Sequence, residues 1–207
     1  MIAVIDYGAG NIRSVYKALR HIGCECKITR DKDEILNSDG AILPGVGSFG
    51  DTMDTMNSYG IKDTVIDFIK SGKPFLGICL GLQLLFPSSE ESPNVKGLSV
   101  FDGTVTKIPS GEGLKIPHIG WNSITINENS RLFKNIEQNS YVYFVHSYYL
   151  KATDRNIVAA QTEYGVTIDA AVEKDNVFAT QFHPEKSGET GLKILSNFAD
   201  IVKGREE

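Results

Sequence analysis

The 207-residue chain has no long apolar run, no basic excess and no paired cysteines, and each absence removes a class of function. Its longest apolar stretch, residues 75–86, is interrupted by Gln83 and is too short to span a bilayer, so no membrane role is expected. The formal net charge is −5 and no lysine- or arginine-rich run occurs, which leaves no electrostatic footprint for nucleic acid. Three cysteines without a C-x-x-C pair argue against a disulfide framework or a zinc site. The histidines form no H-x-x-x-H pair, so no metal is expected. The chain enters a strand at Ile2-Ala3-Val4-Ile5-Asp6, so no secretory leader is expected and the compartment expected is the cytosol. What remains is the ordinary composition of a globular protein, at a length suited to one domain over residues 1–207.

The first ninety residues alternate strand and helix signals. Apolar runs at 2–6, 25–29, 40–43 and 75–79 read as strands, the first buried on both faces. Helical periodicity follows at 12–22, 33–37, 48–57 and 61–71. The pattern implies an α/β fold: a doubly wound, mostly parallel central sheet that binds ligands at the strand C-termini. Beyond a polar loop at 87–93 the texture turns to short β runs at 103–108, 121–126, 141–149, 157–161, 167–173 and 177–181. These predict a mixed or antiparallel β extension of the first sheet, with 167–173 alternating as a half-exposed strand does. A last helix is expected after Ser187, a good N-cap, carrying Leu192, Leu195, Phe198 and Val202 inward, and a frayed tail at 203–207.

Two glycine-rich turns invite a nucleotide reading. In Gly8-Ala9-Gly10 the third glycine of a dinucleotide fingerprint would fall at Arg13, and that reading fails. Pro44-Gly45-Val46-Gly47-Ser48-Phe49-Gly50 matches G-x-G-x-x-G after a strand, a weak match in isolation. Its backbone N–H groups suit either a phosphate or a developing oxyanion.

Gly77-Ile78-Cys79-Leu80-Gly81 has the spacing of a nucleophile elbow with cysteine at its centre. A sharp strand-to-helix turn needs small residues two positions either side and presents the nucleophile at the sheet edge. A following helix N-terminus favours thiolate. The plainer alternative is a buried core cysteine. Toward the other end, Gln181-Phe182-His183-Pro184-Glu185-Lys186-Ser187 follows the last strand. Pro184 keeps His183 extended, so His183 and Glu185 project to the same side. An imidazole that takes a thiol proton, and a carboxylate that fixes its tautomer, are what a cysteine nucleophile needs. His21 reads as a helix C-terminal partner. His118 and His146 read as core or pocket residues.

Gly77-Ile78-Cys79-Leu80-Gly81 together with His183-Pro184-Glu185 resembles the class I (triad) glutamine amidotransferases. The residues Asp6-Tyr7-Gly8-Ala9-Gly10-Asn11, Pro44 to Gly50, Pro117-His118-Ile119-Gly120-Trp121-Asn122, His146-Ser147-Tyr148-Tyr149 and His183 to Ser187 are similar to the glutaminase subunits of imidazole glycerol phosphate synthases. The resemblance covers essentially the whole chain, with residues 86–96 the least familiar. It implies hydrolysis of L-glutamine without a cofactor, through a γ-glutamyl thioester on Cys79, with His183 as base then acid and Glu185 orienting it. It implies an oxyanion site from the N–H of Leu80 and a backbone N–H of Gly45, Val46 or Gly47. Gln83 and the backbone around His146, Ser147 and Tyr148 would contact the substrate's amino-acid end. Trp121, Tyr143 and Lys186 would face the partner or the ammonia path. That partner would be a (β/α)8-barrel cyclase subunit in a heterodimer, using the ammonia to make imidazole glycerol phosphate and an aminoimidazole-carboxamide ribonucleotide. A glutaminase idling without its acceptor wastes glutamine, so the Gly45–Gly47 loop is expected to complete the oxyanion site only when the partner holds ligand. A glutaminase feeding another synthase, for surface-sugar amidation or pyridoxal phosphate synthesis, would share the glutamine half of this pattern. A nucleotide-binding or regulatory module with Cys79 buried is the alternative outside the enzymes.

Overall fold

The computed structural model describes residues 1–8, 11–111 and 113–205. Its centre is an eight-stranded sheet in the order β2-β1-β3-β4-β12-β11-β10-β7. Here β1 is Ile2–Ile5, β2 Cys26–Thr29, β3 Gly40–Gly45, β4 Phe75–Cys79, β7 Thr125–Ile126, β10 Val158–Glu163, β11 Thr167–Lys174 and β12 Val177–Thr180. The first five in that order are parallel, and β11, β10 and β7 complete the sheet antiparallel.

Period-two alternation divides the strand side chains between two cores. Ile2, Val4, Leu76, Ile78 and Phe178 pack on one face with Val15 and Leu19 of α1 (Ile12–His21) and Leu195 and Phe198 of α6 (Gly188–Val202). Ala3, Ile5, Leu43, Phe75 and Ala179 pack on the other with Ile35 of α2 (Lys32–Asn37), Met53 of α3 (Phe49–Ser58) and Phe68 of α4 (Ile61–Lys70). Both faces are thus covered by helices, as the continuous apolar strands require. Because β2 and β3 lie on opposite sides of β1, the loops after β1 and β3 flank a topological switch point, where such sheets bind ligands. Among the described residues no helix is long and apolar enough to cross a membrane.

The β-rich half departs from the expected simple extension. The stretch 121–126 belongs to β6 (His118–Ser123) and β7, and 141–149 to β8 (Tyr141–His146) and β9 (Tyr148–Ala152). β9 pairs with β5 (Gly103–Lys107) and β8 with β6, giving two separate antiparallel ribbons outside the main sheet. β12 is a parallel inner strand between β4 and β11, because it returns beside the elbow strand after the hairpin with β11. β11 is buried along Ile168–Val172 rather than half exposed. Its one charged residue there, Asp169, misled the alternation: its carboxylate is held by Arg155, the Ala152 N–H and Gln161. Ser187 stands before α6, but its hydroxyl donates to the His183 carbonyl and accepts from the Tyr143 N–H instead of capping the helix. The turn expected at 7–11 includes Ala9 and Gly10, and the tail expected at 203–207 includes Glu206 and Glu207; these four lie outside the described residues.

Candidate active site

Cys79 ends β4 in a backbone conformation, φ 55° and ψ −105°, that side chains other than glycine rarely adopt. Both flanking glycines are sterically required. A Cβ on Gly81 would stand 2.1 Å from the Leu43 carbonyl oxygen, and one on Gly77 2.6 Å from the Gly81 carbonyl oxygen. Gly45, opposite Cys79 in the β3–β4 register, is as constrained: its Cβ would meet that of Leu80 at 2.7 Å. These contacts hold β3, β4 and the elbow at backbone distance. The helix expected after the elbow is a single turn, α5 (Leu80–Gln83). The chain turns away after Gln83 because the Leu84 and Leu85 carbonyls accept from Leu98, Val100 and Phe101 in place of continuing a helix. One turn supplies little dipole, so the helix by itself would do little for a thiolate here.

Nδ1 of His183 lies 2.8 Å from Oε1 of Glu185, and both side chains are fully buried. The two face each other through a 3-10 turn, Pro184–Lys186, rather than along an extended strand as expected. Pro184 still fixes His183 as extended, and the His183 N–H donates to the Tyr143 carbonyl at 2.9 Å. Burial opposes charge on the imidazole, but the neighbouring Cys79 sulfur and Glu185 carboxylate outweigh it and push the pKa up to about 10. Nε2 of His183 is buried without a formed hydrogen bond. This is an imidazole braced on one side by a carboxylate and open on the other to a sulfur.

A cavity of about 440 Å³ opens at these strand ends. Ten of the residues singled out from sequence line it: Val46, Gly47, Cys79, Leu80, Gln83, His146, Ser147, Tyr148, His183 and Lys186. Gly45 lies beneath Cys79 and Glu185 behind His183, both outside the lining. Trp121 and Tyr143 also lie outside it, paired across the β6–β8 ribbon, with Lys186 Nζ 6.0 Å from the Tyr143 ring centroid. A larger cleft of about 790 Å³ opens at the opposite sheet edge, around Gly72, Arg131, Glu173 and Val177. It contains an Arg131–Glu173 ion pair but neither cysteine nor histidine.

Several contributors escaped the sequence reading. Glu91 lines the cavity and its carboxylate accepts from the Phe49 N–H at 2.7 Å, at the start of α3. Asn11 donates from Nδ2 to Glu185 Oε1. Gln181, fully buried one residue before Phe182, donates from Nε2 to the Cys79 sulfur at 3.7 Å. Tyr7 is buried next to the site; burial pushes its phenol up, Cys79 adds to the rise, and Thr52 and the Val46 backbone oppose it. Tyr7 and Asn11 stand within a motif quoted for the resemblance, the only signal available in sequence, and Gln181 stands two residues before another. Glu91 lies in its least familiar stretch and gave none.

Comparison with known families matches residues 3–202 to the glutamine amidotransferase class-I family. The chain is 52% identical, over 98% of its length and 99% of the relative's, to the imidazole glycerol phosphate synthase subunit HisH of Caldanaerobacter subterraneus subsp. tengcongensis. Its identity to the HisH subunit of Methanothermobacter thermautotrophicus is 50%, over 98% and 100% of the two chains. The chain belongs to the class I glutamine amidotransferases, in the HisH family. A crystal structure of a glutamine amidotransferase superposes with a TM-score of 0.77 at 20% identity, covering 98% of this chain and all of that one, which supports the fold alone. Within this family the glycine loop at 45–50 lies beside a cysteine elbow, and the nucleotide-module alternative is set aside.

Proposed function

We propose that the chain, as one amidotransferase domain over residues 1–207, hydrolyses L-glutamine to glutamate and ammonia for an imidazole glycerol phosphate synthase. The observation that carries this is His183, buried between the Glu185 carboxylate and the Cys79 sulfur at the wall of a cavity the size of an amino-acid site. His183 takes the Cys79 proton and the sulfur attacks the glutamine δ-carbonyl. The tetrahedral oxyanion is met by the Leu80 N–H, which as the first N–H of α5 has no helical partner, and by a backbone N–H of Gly45, Val46 or Gly47. His183 returns the proton to the leaving nitrogen, ammonia departs, and water hydrolyses the γ-glutamyl thioester by the reverse route.

Recognition of the amino-acid end follows from donor accounting. Gln83 Nε2 donates to the Tyr148 carbonyl and to Gln181 Oε1, both at 3.0 Å, so both amide hydrogens are committed. Only Gln83 Oε1 is left to face a ligand, and an acceptor beside the Glu91 carboxylate suits an α-ammonium group. The backbone around His146, Ser147 and Tyr148 contacts the same end of the substrate.

The ammonia passes to a (β/α)8-barrel cyclase subunit in a cytoplasmic heterodimer, where imidazole glycerol phosphate and an aminoimidazole-carboxamide ribonucleotide form in histidine biosynthesis. Ile119 (59% exposed), Trp121 (54%) and Tyr141 (61%) leave the β6–β8 ribbon uncovered next to Lys186 and support a partner-facing role for Trp121, Tyr143 and Lys186. Gly47, at φ 108°, has the freedom for a peptide flip that completes the oxyanion site on assembly. The test is a glutaminase assay with and without the cyclase subunit and its ribonucleotide. Large activation by both supports the reading. Activity indifferent to them redirects the ammonia to a different synthase.

A further inference from the structure

The sulfur of Cys79 has two polar side-on neighbours besides the imidazole. One is the Val145 carbonyl at 3.9 Å, an acceptor that suits the thiol. The other is Gln181 Nε2 at 3.7 Å, a donor that suits the thiolate and lies at hydrogen-bonding distance for an atom of sulfur's radius. Which end of the Gln181 carboxamide meets the sulfur is fixed by the network behind it. Gln83 can offer Gln181 only an N–H, so Oε1 of Gln181 must accept it and Nε2 must turn to Cys79. Gln83 is held in turn by the Tyr148 carbonyl, which also accepts from His146 Nδ1 at 2.8 Å. With Nδ1 protonated, His146 Nε2 is an acceptor, and it faces His118 Nδ1 at 3.0 Å.

We propose that Gln181 is a further catalytic residue, whose carboxamide donates to the Cys79 thiolate and sustains it once the proton has moved to His183. Gln83, Tyr148 and the His146–His118 pair are its positioning chain. The proposal rests on the reading of Cys79 as the nucleophile. It gives the sulfur the donor that a one-turn elbow helix supplies weakly. The proton leaves Sγ for Nε2 of His183, and no other bond changes. The titratable groups facing Cys79 are His183, Tyr7 from the end of β1, and His146, Glu91 and Lys186 around the cavity.

Two measurements on the full chain test it. In wild type, the side-chain amide resonance of Gln181 is followed by NMR through the pH range in which iodoacetamide reactivity of Cys79 rises. A downfield shift of one amide proton in step with thiolate formation is expected, and an amide that ignores it overturns the proposal. In Gln181→Met and Gln181→Glu, the midpoint of Cys79 alkylation, read by peptide mass spectrometry, is expected to rise by about one pH unit in the first and further in the second. Glutaminase kcat falls about tenfold with little change in KM. Folded variants with wild-type midpoint and kcat reduce Gln181 to a packing residue. Cys79→Ala separates the two readings: if it still hydrolyses glutamine, the nucleophile assignment fails whatever Gln181 does. If Cys79→Ala is inactive and the Gln181 readouts do not move, the Gln181 proposal alone fails.

Discussion

At the scale of single residues, the chemistry depends on groups whose placement leaves little slack. Gly81→Ala would drive a methyl group to 2.1 Å from the Leu43 carbonyl oxygen, a backbone atom that cannot swing away. The expected outcome is a loss of about 3 kcal/mol or more, or failure to fold, measured by urea unfolding. His183 supplies a second prediction. Removing the sulfur in Cys79→Ala takes away a partner that raises the imidazole, so its NMR titration should move down from that of wild type. The sign for stability follows from the raised value. The contribution of this contact is fully present below the ordinary histidine pKa near 6.5 and is lost as pH rises through about 10. Cys79→Ala should therefore flatten the alkaline limb of the wild-type stability curve. Cys79 and His183 could be picked out from sequence because elbow sterics and the proline after histidine act over a few neighbouring residues. Gln181, Asn11 and Glu91 could not, because their functions depend on partners 102, 174 and 42 positions away.

At the scale of elements, the β6–β8 ribbon is where expectation and structure part most. The sequence offers one strong β run at 141–149, and nothing local reveals that it breaks at Ser147 so that its halves join different ribbons. The break is what turns His146 and the Tyr148 carbonyl toward the cavity. His118 anchors this region, stacked against Phe144 and Tyr164, and His146 lies tilted against Phe144. Burial holds His118 down at about 4 and His146 at about 3, so both are neutral near pH 7. With folded values below the ordinary 6.5, the unfolded chain binds more protons between 6.5 and about 3, and stability must fall as pH drops through that window. Thermal melts of His118→Gln should show a shallower decline over the same range than wild type. By contrast, the parallel half of the sheet was legible to within a residue or two. Its strands, buried on both faces, declare themselves as continuous apolar runs, and short crossovers leave few alternatives.

At the scale of the whole molecule, the candidate catalytic elements come from distant parts of the chain and converge at one sheet edge, and an exposed aromatic face adjoins them. β3, β4 and β12 end side by side, which brings the glycine loop, the cysteine elbow and the histidine turn together. The ribbon carrying Trp121 lies just beyond, its Trp121 and Tyr143 rings 6.1 Å apart. An apolar face of this kind is costly to leave in water unless something covers it. Trp121→Glu should leave the melting temperature near wild type, since the side chain is outside the core, while weakening association with the proposed cyclase subunit at least about tenfold by calorimetry.

The central claim is that Cys79 attacks the side-chain carbonyl of glutamine. It is tested most directly by incubating the chain, with its cyclase subunit and ribonucleotide present, with a glutamine analogue that carries an electrophile at the γ-position, and mapping the adduct by mass spectrometry. The expected result is one adduct per chain, on Cys79, prevented by excess glutamine and accompanied by complete loss of ammonia release. An unmodified Cys79, or an adduct on Cys24 or Cys26 with ammonia release intact, would contradict it.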